Sequence, residues 1–173
     1  MTALCFSADG RLLATGSSDH TVKLFDTATG AIIRTLEGHS QGVAKVAFSP
    51  TGMLASGASC DSIKVWDLET ARALWTVPAL NLVTGLAFAP DGKHLLVAQS
   101  VDAVRVLELE TGRCVASALP LPEGWAVFDS DGRCRYSGNV AGYFWHAIGL
   151  CRFEPGELDE FLPELKLPVG PLF

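Results

Sequence analysis

The 173-residue chain has few basic residues, no paired cysteines and no long apolar run. Thirteen Lys and Arg against nineteen Asp and Glu leave a net charge of −6, which argues against nucleic-acid phosphates or an anionic membrane as main partner. The five cysteines form no CxxC pair and are odd in number, so a disulfide framework or zinc ribbon is not expected. The start, MTALCFSADG, lacks the basic region of a signal peptide, and the most apolar window, 138–151, is too short to span a bilayer. These absences predict a soluble, cytoplasmic protein.

A repeat with a period of about 41 residues organises the chain. The segments ALCFSADG, AKVAFSPTG, GLAFAPDG and WAVFDSDG end in the glycines Gly10, Gly52, Gly92 and Gly132, which recur at nearly even intervals. A second landmark, VKLFDTATG, returns as IKVWDLETA and VRVLELETG, and its Phe25, Trp66 and Leu107 recur at the same interval. Two landmarks that share one period indicate repeated structural units.

Each unit has the composition of β-structure. Short runs of Val, Ile, Leu and Phe are separated by Asp-Gly, Thr-Gly or Ser-Pro turns. In the second unit this pattern predicts strands near 43–48, 53–58, 62–66 and 73–77. Ala71 replaces the glycine of the Thr-Gly turn, which predicts a different turn type in that unit.

Four strands in a unit of about 40–45 residues, with Gly-His at its start and Trp-Asp on its third strand, resemble a blade of the WD-repeat family. The second unit fits best, with Gly38-His39, SPTG, LASGAS and Trp66-Asp67. The first unit keeps TGSSDHTVKLFD. The third unit has Ala-Leu in place of Gly-His and Leu-Glu in place of Trp-Asp. The resemblance covers residues 1–117 clearly and extends weakly to 153. It implies an all-β fold of propeller blades with four antiparallel strands each, three to four blades in all, in an incomplete ring.

The repeats divide the chain into five predicted segments. They are an N-terminally truncated blade at 1–36, a blade at 37–78, a degenerate blade at 79–119, a degenerate last blade at 120–153 and an acidic, Pro-containing tail at 154–173. The aromatic stretch YFWHAI at 143–148 is interpreted either as an outer strand of the last blade or as part of a docking surface. Three states of assembly stay open: a C-terminal piece of a longer ring, a half-propeller that pairs with another, and a small four-bladed ring.

In WD repeats a buried polar network commonly links a loop His, a strand Ser or Thr, a turn Asp and the Trp indole, since buried donors and acceptors need partners. The candidates by resemblance are Thr15, Asp19, His39, Ser56, Asp61 and Trp66. A shift by one repeat period from Asp19 falls on Cys60, one place before Asp61, and no His precedes the first unit. This spacing predicts that no unit holds a complete, correctly spaced set and that the network stabilises one blade at most.

No catalytic, cofactor-binding or metal-binding residue is predicted. A Ser–His–Asp arrangement is the weaker interpretation of these polar residues, because repeat position explains each of them and no GxSxG elbow is present. Cys134 with His146 is the Cys–His pair considered, against a default of buried structural cysteine. The four histidines show no ligand spacing, and GNVAG at 138–142 lacks the GK[ST] ending of a phosphate loop.

The sequence therefore predicts a non-catalytic scaffold module for protein–protein interaction. The segment from Trp125 to Pro168 resembles the end of bacterial multidomain proteins with C-terminal WD-repeat propellers, which implies a C-terminal fragment of a larger signalling or sensor protein. Its expected partners are proteins, or missing propeller blades from the same or another chain, and neither nucleic acid nor membrane. Loop residues His20, Asp61 and Asn81 are candidate contacts. The alternative is a propeller-type hydrolase or a small-ligand-binding propeller.

Overall fold

The computed structural model describes residues 1–79, 81–100, 104–131, 133–138, 146–148 and 151–153. These residues contain sixteen strands and no helix, and hence no helix that is long and apolar enough to cross a membrane. The chain divides into two compact units, Met1–Cys114 and Val115–Phe173.

The first unit contains three consecutive antiparallel sheets, which we call blades 1 to 3. Blade 1 consists of β1 (Ala3–Phe6), β2 (Leu12–Gly16), β3 (Val22–Asp26) and β4 (Ile32–Leu36), paired in chain order. Blade 2 consists of β5 (Val43–Phe48), β6 (Leu54–Ala58), β7 (Ser62–Asp67) and β8 (Arg72–Pro78), paired in the same way. Blade 3 contains β9 (Val83–Phe88), β10 (His94–Gln99) and β11 (Val104–Glu108). Antiparallel sheets of this kind confirm the predicted fold class of propeller blades.

The turn at Ala71 keeps the conformation of the glycines that it replaces. Ala71 has a φ of +59°, whereas Gly30 and Gly112 have φ values of +71° and +72°. The prediction of a different turn type in the second unit was therefore wrong. An alanine tolerates this left-handed conformation at a modest energetic cost, and Ala71 packs against the core between blades 1 and 2.

Two hydrophobic clusters fill the spaces between the blades. The first joins Ala14, Val22 and Leu24 of blade 1 to Leu54 and Trp66 of blade 2. The second joins Ala55, Ile63 and Val65 of blade 2 to Leu95, Val97 and Leu107 of blade 3. The innermost strands β1, β5 and β9 lie next to one another, so each blade packs face to face with the next.

A glycine in the second strand of blades 1 and 2 allows this close approach. A Cβ at Gly16 would lie 2.7 Å from Val43 Cγ1, and a Cβ at Gly57 would lie 2.7 Å from Val83 Cγ1. Carbon atoms pack at about 3.5–4.0 Å, so neither position has room for a side chain. Val43 and Val83 each begin the inner strand of the following blade.

Trp75 on β8 stabilises the outer edge of the interface between blades 2 and 3. Its Nε1 donates to the backbone carbonyl of Leu109 at 2.7 Å. Its ring also covers Gly112, where a Cβ would come within 3.0 Å of Trp75 Cδ2. The indole N–H and the ring face of Trp75 thus both contact the turn that follows β11.

The later strands are β12 (Cys114–Leu121), β13 (Gly124–Asp129), β14 (Cys134–Gly138), β15 (His146–Ile148) and β16 (Cys151–Phe153). In the second unit β13 pairs with both β12 and β14, and β15 pairs with β16 in a sheet of their own. The predicted boundary between 119 and 120 falls inside the β12–β13 hairpin. Only two residues separate these strands, against six between blades 1 and 2, and so short a connection forms a hairpin. The predicted tail, 154–173, and residues 143–145 of YFWHAI lie outside the described residues.

Candidate functional site

Four of the six predicted polar residues meet in a hydrogen-bonded chain in blade 2. Trp66 Nε1 donates to Ser56 Oγ at 2.7 Å, and Ser56 Oγ lies 2.6 Å from His39 Nε2. On the other side of the imidazole ring, His39 Nδ1 lies 3.2 Å from Asp61 Oδ2. The His39 side chain and Ser56 are fully buried, and Trp66 is 2% exposed.

The strand register brings these side chains to one face of the blade. Trp66 on β7 pairs with Leu54 on β6, and Ser56 lies two residues further along β6, on the same face. An indole is long enough to reach such a diagonal neighbour. His39 precedes β5 and follows Gly38, whose φ of +127° belongs to a region that glycine favours. The turn therefore directs the imidazole ring toward Ser56.

The direction of each hydrogen bond follows from what each atom can donate or accept. The Trp66 N–H can only donate, and the Asp61 carboxylate can only accept. Ser56 Oγ therefore accepts from Trp66 and donates to His39 Nε2, while His39 Nδ1–H donates to Asp61. This arrangement uses a neutral imidazole. No buried side-chain nitrogen or oxygen in the described ranges lacks a partner.

Two serines that the sequence prediction missed complete the chain. Ser40 donates to Asp61 through its hydroxyl at 2.7 Å and its backbone N–H at 3.1 Å. Ser62 Oγ donates to Asp61 Oδ2 at 2.9 Å and lies 3.1 Å from His39 Nδ1. Each serine directly follows a predicted member of the set, and that adjacency was the available signal.

These contacts shift two pKa values. Burial lowers the pKa of His39 below its usual 6.5, although the hydrogen bond to Asp61 opposes this shift. Burial raises the pKa of Asp61, but hydrogen bonds from Ser40, Ser62 and His39 outweigh it and hold the pKa at about 2. At neutral pH the pair therefore consists of a neutral imidazole and an ionised carboxylate.

Asp61 reaches His39 because the turn of blade 2 differs from that of blade 1. In blade 1 the left-handed residue is His20, with a φ of +72°, whereas in blade 2 it is Cys60, with a φ of +52°. By the repeat period, Cys60 corresponds to Asp19 and Asp61 to His20. The left-handed residue thus comes one place earlier in blade 2. Blade 2 thus joins all four kinds of residue, with an Asp one place away from the repeat spacing.

The structure does not join Thr15 and Asp19 in such a chain. Asp19 Oδ1 accepts from the Thr21 hydroxyl at 2.7 Å and from the Thr21 N–H at 3.1 Å. These bonds lower the pKa of Asp19 to about 2. Thr15 is buried and pairs in the sheet with Leu4 and Lys23. In blade 1 the turn carboxylate therefore organises its own turn.

Blade 3 replaces the polar chain with apolar side chains. By the same period, Val97 stands where blade 2 has Ser56, and Leu107 stands where it has Trp66. Both residues are fully buried. Losing the hydroxyl and the indole together leaves no buried donor without an acceptor, which explains why the two replacements occur as a pair.

The chain Ser56–His39–Asp61 has the order of a catalytic Ser–His–Asp triad, with the serine at Nε2 and the carboxylate at Nδ1. A nucleophilic serine must also reach a substrate. Ser56 is 0% exposed, and its oxygen already accepts the Trp66 N–H. These contacts fit a structural chain better than a nucleophile.

The remaining chemical candidates have little structural support. Cys134 is buried, whereas the His146 side chain and most of GNVAG lie outside the described residues. Among the described residues, no group of three or more His, Cys, Asp and Glu is arranged to hold a metal ion. His94 Nδ1 lies 2.6 Å from Asp91 Oδ2 at an exposed turn.

An open cavity of about 450 Å³ lies where the inner strands of the three blades begin. Its lining includes Thr2, Lys45, Ser59, Leu82 and Thr84. Apolar surface with a few hydroxyls and one cation is the composition of a site that can accept a peptide side chain. Of the predicted loop contacts, His20 is exposed, whereas Asp61 is engaged by His39 and Ser40.

Comparison with known proteins supports a WD-repeat protein. The family described as WD domain, G-beta repeat matches residues 1–26 and 30–67. Nuclear distribution protein PAC1 of Coprinopsis cinerea is 54% identical over 43 residues, which are 25% of this chain and 10% of that protein. Dynein assembly factor with WD repeat domains 1 of Danio rerio is 43% identical over 49 residues, or 28% of this chain and 12% of that protein. The chain thus spans only 10–12% of these two curated relatives.

A similar fold occurs in a solved structure. The crystal structure of the computationally designed Ika4 protein matches with a TM-score of 0.59 at 23% identity, over 79% of this chain and 89% of that chain. This likeness concerns the fold. WD-repeat proteins generally mediate protein interactions.

Proposed function

We propose that the chain is a non-catalytic WD-repeat scaffold module that binds other proteins. The observation that carries the proposal is that the polar side chains which could perform chemistry in blade 2 form hydrogen bonds with one another. His39, Ser56 and Trp66 are buried, and their polar atoms are joined by hydrogen bonds through Ser56. Rigid blades with variable loops are a frequent basis for protein recognition, and the WD-repeat match over blades 1 and 2 supports this function.

The wider context is also part of the proposal. The chain is a C-terminal fragment of a larger bacterial signalling or sensor protein, acts in the cytoplasm, and binds proteins and not nucleic acid or membrane. The net charge of −6 and the resemblance of residues 125–168 to multidomain bacterial proteins support this context. The genomic sequence ahead of Met1 tests it: an open reading frame that continues into further repeats is expected, and a stop codon in frame would contradict it.

Quantitative affinity capture tests the scaffold function. The tagged full chain is compared with Lys45→Glu and Leu82→Asp, which change the cavity lining without touching the buried polar chain. We expect both variants to keep the wild-type melting temperature. Neither should capture the protein that the wild-type chain captures. Thr35→Asp on exposed β4 is the matched control and should retain it. Equal capture by all four proteins would remove this cavity from the proposal.

The triad-like order in blade 2 makes a hydrolase the second candidate. Its test is turnover of p-nitrophenyl acetate by the wild type, Ser56→Ala and His39→Ala. The scaffold function predicts the same background rate for all three proteins. A wild-type rate that both substitutions abolish would favour the hydrolase.

A further inference from the structure

One face of blade 1 has a row of apolar side chains that no other described residue covers. The register pairs Phe6 with Leu13, Leu13 with Phe25 and Phe25 with Ile32, so one residue from each strand lies on the same face. Phe6 is 58% exposed and Ile32 is 55% exposed. Leu4, which lies on the same face of β1 two residues away, is 54% exposed. Contiguous exposed apolar side chains of this size mark an interaction surface.

The same row occurs in the next two blades, where its middle residues are buried, its inner-strand Phe is half-buried and Ala73 on the outermost strand is exposed. In blade 2 the register gives Phe48, Leu54, Trp66 and Ala73, and in blade 3 it gives Phe88, Leu95 and Leu107. Leu54, Leu95 and Leu107 are 0% exposed. In both cases the cover is the preceding blade, which is blade 1 over blade 2 and blade 2 over blade 3.

The covering faces have a common chemistry. Blade 1 presents Ala14, Val22 and Leu24, and blade 2 presents Ala55, Ile63 and Val65 one repeat period later. Each covering blade also has a glycine, Gly16 or Gly57, that receives the first valine of the following inner strand. Both interfaces thus pair a bulky row with a face of smaller aliphatic residues.

We propose that the row Phe6–Leu13–Phe25–Ile32 is the docking surface for one further propeller blade, joined ahead of β1 in the chain order of blades 1 to 3. This blade presents an aliphatic face of the Ala14–Val22–Leu24 type and a glycine that receives Met1. Met1 lies five residues before Phe6, as Val43 and Val83 lie before Phe48 and Phe88, and it is 78% exposed.

A second copy that met this surface through its own blade 1 would fit it less well. Two copies that meet through blade 1 would place one bulky row against another, whereas both interfaces of the structure place a bulky row against smaller residues. Close packing makes this difference in side-chain volume decisive. The inference rests on the proposed function, because it treats the chain as part of a larger protein, and it names one of the partners.

The test adds the missing blade in register. A chimera carries a copy of residues 37–82 directly before Met1, so that Met1 takes the place of Val83 after the added blade. Hydroxyl-radical footprinting then measures the oxidation of Phe6 and Phe25. In the chimera we expect the rate of Phe6 to fall to that of Phe48, its equivalent in blade 2, and the rate of Phe25 to fall as well, because its equivalent Trp66 is 2% exposed. The matched control is the same chimera with Ala55→Glu in the added copy, which should leave Phe6 reactive.

The second measurement compares how Phe6→Ser changes the melting temperature of the 173-residue chain and of the chimera. Phe6→Ser should change the melting temperature of the 173-residue chain by less than about 1 °C, because Phe6 is exposed there. In the chimera the same substitution should lower it by at least about 5 °C, because it removes a buried ring.

Three results would overturn the proposal. Phe6 and Phe25 could stay as reactive in the chimera as in the chain, or Phe6→Ser could have equal effects in both proteins. The chain alone could sediment as a dimer with Phe6 already protected, which would make a second copy the occupant. Neither measurement uses a captured protein or turnover, so a failure here leaves the scaffold function standing, and a failed capture leaves the docking surface standing.

Discussion

His39 touches both halves of the polar chain in blade 2, with Nε2 at Ser56 and Nδ1 at Asp61. A buried imidazole needs a partner at each nitrogen. Removal of His39 leaves the buried Ser56 hydroxyl without an acceptor for its hydrogen, whereas Asp61 keeps its hydrogen bonds from Ser40 and Ser62.

His39→Ala is expected to destabilise the fold by about 2 kcal/mol, because it opens a cavity and strips Ser56 of its acceptor. This corresponds to a fall in melting temperature of about 4–8 °C for a chain of this length. Thermal unfolding followed by circular dichroism measures the loss. The control is His20→Asn, an exposed turn position where Asn accepts the φ of +72° and no loss is expected. Equal melting temperatures for His39→Ala and the wild type would refute the structural role.

The same residue makes stability depend on pH. The pKa of His39 in the folded state lies below its usual 6.5, so at a pH just below 6.5 the unfolded chain binds the additional proton. Stability is therefore fully present above pH 6.5 and decreases as the pH falls through the window between 6.5 and the folded-state pKa. Asp61, with a folded-state pKa of about 2 against 3.8, adds a second loss below pH 3.8.

Urea unfolding at pH 8, 7, 6 and 5 measures this dependence. The wild type should lose stability between pH 7 and pH 5, because protonated His39 must donate from Nε2 to a serine that already accepts from Trp66. In His39→Gln the loss over this range should shrink, since the titrating group is gone. An unchanged slope would assign the pH dependence to other groups.

The residues of the polar chain differ in how far the sequence reports them. His39, Ser56 and Trp66 occupy repeat positions with a fixed relation to strands, and the resemblance named them as candidates. Asp61 lies in a turn, where a shift of the left-handed residue by one place changes which side chain reaches the interior, and spacing alone predicts this poorly. Ser40 and Ser62 join through their local turn geometry, which no periodic pattern reports.

At the scale of elements, the strands of blade 2 were predictable because turn residues bound each apolar run. The pattern predicted strands near 43–48 and 62–66, and the structure has Val43–Phe48 and Ser62–Asp67. The repeat alignment places a unit boundary between 119 and 120, whereas the structure joins β12 and β13 by a two-residue loop after Leu121. A repeat period locates units but does not report which strands so short a loop connects.

Gly57→Ala is expected to destabilise the interface between blades 2 and 3. The new methyl group would lie 2.7 Å from Val83 Cγ1, and a β-branched side chain cannot rotate away easily. Overpacking costs about 1–3 kcal/mol, whereas the entropic gain of replacing glycine is only about 0.4–1 kcal/mol, so the net effect is a loss. Chemical denaturation of Gly57→Ala, Val83→Ala and the double variant measures it.

The double variant distinguishes a clash with Val83 from backbone strain as the cause of the destabilisation. If the clash with Val83 is responsible, Gly57→Ala should cost little or become stabilising in the Val83→Ala background, where the Cγ1 atom is gone. Strain in the backbone of β6 would instead make the two losses add. The same comparison applies to Gly16 and Val43 between blades 1 and 2.

At the scale of the first unit, each blade packs against its neighbours in chain order, and blade 2 is covered on both faces. Such stacks behave as one-dimensional arrays in which a weakened interface affects mainly the blades beside it. The sequence predicted this stacking from its period. It left the state of assembly open, because the same period fits a piece of a longer ring, a half-propeller and a small four-bladed ring.

Hydrogen exchange followed by mass spectrometry tests the array directly. Gly16→Ala weakens the contact with Val43, so we expect β1 to β4 to exchange faster while β9 to β11 keep wild-type protection. Gly57→Ala should produce the reverse pattern, with faster exchange in β9 to β11 and little change in β1 to β4. Each variant is thus the control for the other, since both introduce one methyl group at the same repeat position. If both variants accelerate exchange uniformly from β1 to β11, the three blades unfold as one cooperative body and the array description fails.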